Sequence, residues 1–74
     1  MKRIVDSFTV GGTKAGMSMP GPQLQTMLGR SIQICVETMT LYVPTEHGVE
    51  MARRGDRVVL FEDGMLEVEH AEGN

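Results

Sequence analysis

The chain has no tryptophan, and tyrosine and cysteine each occur once. A single cysteine excludes an internal disulfide framework, so stability must come from packing. The aromatics are only Phe8, Tyr42 and Phe61, and the seven methionines must fill much of the remaining core volume with flexible side chains. No apolar run approaches the roughly 20 residues of a membrane span. No basic segment followed by a long apolar stretch opens the sequence as a secretory signal would. The expectation is a cytoplasmic protein with no membrane partner.

Catalytic and metal-binding patterns are missing as well. Histidine occurs only at His47 and His70, and no Cys-x-x-Cys or His-Glu-x-x-His spacing exists. A metal held by Cys35, His47 and His70 would need three distant positions to converge. Glu67 and Glu69 lie two apart on a strand pattern and read as a solvated face rather than an acid/base pair. A domain of 74 residues also has little room for a pocket that excludes water. The expectation is a protein that is not an enzyme, with no catalytic residue, no cofactor and no metal.

What is present is mostly strand and turn grammar. Length predicts one domain over 1–74, with a thin core, since a chain this short buries only roughly 60% of its unfolded surface. A thin, methionine-rich core makes a partner, including a second copy of the chain, an expectation to carry forward. The fold class read from the pattern is α+β and β-rich: a small antiparallel sheet of about four to five strands, one short helix and a C-terminal β-hairpin.

The hairpin is the best-specified element. Two apolar runs, Arg57-Val-Val-Leu-Phe61 and Met65-Leu-Glu-Val-Glu69, flank Asp63-Gly64. Asp-Gly between β-formers predicts a two-residue type I′ turn. Phe61 would then face Leu66, Val59 would face Val68 and Arg57 would face His70. Phe61, Val59, Leu66 and Val68 would form the core face, with Val58 and Leu60 opposite Glu67 and Glu69. A loop one residue longer would invert both faces.

Upstream, Arg3 to Val10 reads as a strand whose face Ile4, Phe8, Val10 is interrupted by Asp6, as on a sheet edge. Residues 11–22 read as a flexible Gly/Pro loop. Its Lys14 lacks the spacing of a phosphate-binding loop, whereas Met17 and Met19 would suit an adaptable protein contact. Pro22 to Gly29 reads as a short helix with the stripe Leu24, Met27, Leu28. Ser31 to Glu37 alternates as a strand, placing Ile32, Ile34 and Val36 on one face and Gln33, Cys35 and Glu37 on the other, and Cys35 reads as a reduced core residue. Thr38-Met39 connects to a strand Thr40 to Val43. Over 44–54 a turn at Glu46-His47-Gly48 and a short strand Val49 to Ala52 are favoured over a helix that Gly48 would interrupt. Arg54-Gly55-Asp56 spells an adhesive tripeptide but reads better as the turn that feeds Arg57 into its strand. Residues 71–74 read as a disordered tail.

Charge is uneven. Residues 1–54 hold six Lys/Arg against four Asp/Glu, whereas residues 55–74 hold Arg57 against six acids, for a net charge of −3 over the chain. That balance argues against direct nucleic-acid binding.

Thr45-Glu-His-Gly48, Ala52, Gly55-Asp56-Arg57-Val58-Val59 and Asp63-Gly64 resemble a pattern in small phage and prophage proteins. Those carry Thr-x-x-Gly, then Pro-Gly-Asp-Trp-Val/Ile, then an acidic/Gly step near the C-terminus. Arg54 stands where that family has Pro, and Arg57 where it has Trp. The resemblance implies phage origin and a small β-rich fold, and it implies no activity and no functional residues. Leu41-Tyr-Val-Pro44 followed by Gly55-Asp56 and a hairpin is also similar to swapped-hairpin transcription factors and antitoxins, which bind DNA as dimers.

The leading expectation is a phage-encoded binding protein that modulates a host protein complex, such as RNA polymerase or a defence complex. A dimeric DNA-binding regulator and a phage structural component are the alternatives. The expected contacts are Arg53, Arg54 and Arg57, since arginine offers planar bidentate donors at interfaces, together with Lys14, Met17 and Met19.

Overall fold

The computed structural model describes residues 2–11 and 20–70. Residues 12–19 of the expected loop, with Lys14, Met17 and Met19, lie outside the described residues, as does the tail 71–74.

Among the described residues, six strands and one helix follow in the order β1 (Ile4–Thr9), α1 (Pro22–Met27), β2 (Gln33–Cys35), β3 (Thr40–Thr45), β4 (Gly48–Ala52), β5 (Arg57–Phe61) and β6 (Leu66–Glu69). They form two three-stranded antiparallel sheets, β1-β5-β6 and β2-β3-β4, rather than the expected single sheet of four to five strands. The inner faces of both sheets and Leu24 of α1 share one apolar cluster, which includes Phe8, Val10, Ile32, Leu41, Val43, Ala52, Val58, Leu60, Leu66 and Val68.

The C-terminal strands pair, but one residue out of the expected register. Leu60 faces Leu66, Val58 faces Val68 and Arg57 faces Glu69. The loop has three residues: the Phe61 amide donates to Met65 O at 2.9 Å, and the Gly64 amide donates to Phe61 O at 2.9 Å. The type I′ turn fails because Asp63 does not enter positive φ; Met39 is the one non-glycine residue there among those described. Asp63 instead accepts the Met65 amide on Oδ1 at 3.0 Å, and Gly64 alone takes the left-handed conformation, φ 87°. This is a type I turn closed by a glycine bulge. The core face is therefore Val58, Leu60, Leu66 and Val68, and Phe61 lies outside the cluster.

β1 is an edge strand, as its pattern suggests. Its pairing with β5 shifts between Ile4 and Asp6, and Ile4 is left exposed. Asp6, opposite Leu60, serves α1. The helix starts at Pro22 after Gly21, which offers no capping side chain. Asp6 supplies the acceptor from a distance: Oδ1 takes the Gly21 amide at 2.9 Å and Oδ2 the Leu24 amide at 3.1 Å. Gly21 is required by this approach, because a Cβ there would meet Asp6 Oδ2 at 2.6 Å.

The strand expected over Ser31 to Glu37 is shorter, Gln33–Cys35, and its apolar residues are not buried together. Ile32 is fully buried, but Ile34 is exposed and Val36 is 75% exposed. β2 pairs for only three residues, Gln33↔Tyr42 to Cys35↔Thr40, at the rim of the second sheet, so its alternation outruns the core available to cover it.

Candidate functional site

The β3–β4 hairpin turns at Glu46-His47. Thr45 faces Gly48, the Thr45 hydroxyl donates to Gly48 O at 2.7 Å, and it accepts the His47 amide at 3.1 Å. β4 then runs to Ala52 as the expected turn-and-strand reading required. At its end, Arg53-Arg54-Gly55-Asp56 forms a type II turn. The Asp56 amide donates to Arg53 O at 2.8 Å, with Gly55 at φ 96° in the third position. Asp56 closes the turn by accepting the Arg53 amide on Oδ2 at 2.9 Å. Its main chain is stitched to β1, the Val10 amide donating to Asp56 O at 2.8 Å and the Gly55 amide to Val10 O at 2.9 Å. Asp56 is 7% exposed, so the tripeptide Arg54-Gly55-Asp56 does not present its carboxylate as an adhesive loop would.

Register decides which side chains meet on the second sheet, since directly paired residues share a face. Leu41↔Ala52 and Val43↔Glu50 lie on one face, and Tyr42↔Met51 and Pro44↔Val49 on the other. The first face carries the buried Leu41, Val43 and Ala52. The second leaves Tyr42, Met51 and Val49 exposed, Val49 at 68%. This inverts the simple pattern along β4, where the larger apolar residues Val49 and Met51 point outward while Ala52 is buried and Glu50 half-buried. At the Arg end this outer face holds a groove of about 460 Å³ lined by Thr38, Thr40, Tyr42, Met51, Arg53 and Arg54. No carboxylate of the described residues lines it.

Cys35 belongs to the same outer face, being paired with Thr40 on the β2 side. It is half-buried rather than a core residue. The Thr38 side chain, then the Thr38 backbone, hydrogen-bonds the thiol and holds its pKa below the ordinary thiol value, against a smaller opposing effect of desolvation.

Of the three expected arginines, Arg53 and Arg54 line the groove and Arg57 does not. Arg57 is committed elsewhere, with Nη1 3.2 Å from Glu69 Oε1 and Nη2 donating to Ser7 Oγ at 3.1 Å. Arg53 and Arg54 have no ion pair among the described residues. Sequence reasoning missed Tyr42, Val49 and Met51. The available signal was the out-of-phase position of Tyr42 between Leu41 and Val43, together with the hairpin pairing that puts Met51 opposite it.

A second cleft, of about 420 Å³, lies between the tips of the two hairpins and includes Lys2, Glu46, His47, Glu50, Phe61 and Glu67 in its lining. Its cation is already engaged: Lys2 Nζ is 3.6 Å from Asp63, 3.8 Å from Glu46 and 5.5 Å from the Phe61 ring centroid. Among the described residues no three His, Cys, Asp or Glu side chains converge as a metal site, and no helix is long and apolar enough to cross a membrane.

The chain matches no protein-family model, no curated protein and no solved structure. The functional reading therefore stands on the surface just described.

Proposed function

We propose that this chain is a small, non-enzymatic, phage-encoded protein of the host cytoplasm that binds a host protein complex and modulates it by occupying one of its surfaces. The observation that carries the reading is the outer face of the second sheet. It joins exposed Tyr42, Val49 and Met51 to two arginines that have no carboxylate partner among the described residues. Aromatic, methionine and arginine side chains are the types enriched where proteins meet. Burying such a face in a partner removes apolar surface from water and gives the free guanidinium groups acceptors.

The test is affinity capture from a bacterial lysate with the tagged chain, repeated after nuclease treatment and read by mass spectrometry. The expected result is one stoichiometric host complex that survives nuclease. The double substitution Arg53→Glu, Arg54→Glu is expected to weaken that complex by at least about 2 kcal/mol, some 30-fold in Kd, as hot-spot losses do. Capture that vanishes with nuclease would transfer the reading to a DNA-binding dimer. Capture of the chain alone would transfer it to a structural component.

A further inference from the structure

Resting on that binding reading, we propose that the outer face of the second sheet takes an extended acidic segment of the partner protein, running along β4. A carboxylate of the segment sits on Arg53 and Arg54, and alternate apolar side chains lie against Met51, Tyr42 and Val49.

Three features argue for this occupant. The first is charge. The groove is lined by Thr38, Thr40, Tyr42, Met51, Arg53 and Arg54, so its charged groups among the described residues are cationic, on a chain whose net charge is −3. Lys2 and Arg57 are satisfied by Asp63, Glu46 and Glu69, whereas Arg53 and Arg54 have no carboxylate among the described residues. The second is spacing. Val49 and Met51 alternate along one face of β4, and Arg53 is the next residue in that alternation, on the turn that follows. Such positions lie about 6.6 Å apart at the usual rise of a strand. Alternate side chains of an extended peptide have the same spacing, so an acidic–x–apolar–x–apolar segment meets the arginines and both apolar positions in step. The third is preorganisation. The base of Arg53 is held by Asp56 from both sides of the turn, its amide donating to Oδ2 and its carbonyl accepting the Asp56 amide.

The same observations disfavour other occupants. A single nucleic-acid strand could stack a base on Tyr42, but it would lay successive phosphates across Met51 and Val49 on β4, a strand that itself carries no cation and one carboxylate, Glu50. A second copy docked face to face about a two-fold axis needs a self-complementary patch, and among the described residues the groove brings cations with no carboxylate to answer them.

The probe is a capped synthetic nonapeptide, Gly-Glu-Glu-Thr-Leu-Thr-Val-Thr-Gly, with a version carrying Gln for both Glu. It is titrated into the full 15N-labelled chain and followed by amide and Met51 methyl shifts. The expected result is saturable shifts confined to Tyr42, Val49, Met51, Arg53, Arg54 and their neighbours. Binding should be at least tenfold weaker for the Gln peptide. It should be lost in Arg53→Glu/Arg54→Glu, and separately in Met51→Glu, each with an otherwise unchanged spectrum. Four results would overturn the proposal: no saturable shift, equal binding of the two peptides, tighter occupation of the same residues by an oligothymidine strand, or a dimer by sedimentation that protects Tyr42 and Met51. Failure of this site is distinguishable from failure of the broader reading. A host complex captured equally by the wild type and by Arg53→Glu/Arg54→Glu would keep the binding function and remove this site from it.

Discussion

Asp6 shows at single-residue resolution how a position that breaks a pattern can explain another element. Its place on an otherwise apolar face suggests a poorly covered edge, and β1 is an edge. The carboxylate is nevertheless fully used, because Ser7, Gly21 and Leu24 all donate amides to it. Replacing it by alanine (Asp6→Ala) is expected to cost about 1–2 kcal/mol, as loss of a helix cap does. Gly21→Ala should cost a similar amount by driving the carboxylate off its amides. Both are read from urea midpoints, and an unchanged midpoint for either would remove the cap from the account. Cys35 makes a second residue-scale case. Its pKa is depressed, so its thiolate fraction should rise at lower pH than that of an ordinary thiol, and its alkylation rate should follow. Thr38→Val should move the rate profile back to higher pH. Because the folded pKa lies below the unfolded one, ionisation favours the folded chain above the unfolded thiol pKa, and this contribution is lost as pH falls through the folded value. Neither partner was legible in the sequence. The Asp6 contact spans fifteen residues to Gly21 and the thiol's setting depends on how the turn after β2 closes.

Among the elements, the C-terminal hairpin separates what local sequence determines from what it leaves open. Two strands flanking Asp63-Gly64 were legible, because β-branched and apolar runs around a turn signal have few other uses. The register was not, since Asp-Gly serves both a two-residue type I′ loop and a three-residue loop with a glycine bulge. The outcome turned on whether Asp63 itself entered positive φ. The observed register puts Leu60 in the core and Phe61 outside it, whereas the shorter loop would do the reverse. Leu60→Ala is therefore expected to cost about 2–4 kcal/mol, in the range for a buried leucine, and Phe61→Ala clearly less. The opposite order in denaturation midpoints would restore the shorter loop. β2 failed for a different reason. Its alternation is sound, but burial depends on how much core reaches the sheet rim, which no local pattern encodes. Arg53 and Arg54 were legible as candidates, whereas the exposure of Tyr42, Val49 and Met51 on one face required the β3–β4 pairing to be known first.

For the molecule as a whole, the two sheets are joined through Asp56. It ties the turn after β4 to the end of β1, and its Oδ2 lies 3.1 Å from His70 Nδ1 just beyond β6. His70 Nε2 in turn lies 3.7 Å from Glu50 of β4. His70, which the expected register pairs with Arg57, thus sits between both sheets. Asp56→Ala is expected to destabilise the fold by about 1–2 kcal/mol, because it leaves the Arg53 amide and the His70 imidazole without their acceptor. His70→Ala should cost less, since its ring is largely exposed. Equal, small effects of the two in thermal melts would mean that the junction does not depend on Asp56.

The remote cap also fixes an order of events during folding. Six residues of helix are too few to persist alone in water, and the oxygens that stabilise α1 belong to a strand. Helix α1 therefore has no independent nucleus and must form after, or together with, the docking of β1 on β5. The amides of Leu24 and of β1 should then exchange with deuterium as one unit, at a common opening free energy. Loosening the edge strand would release the helix with it.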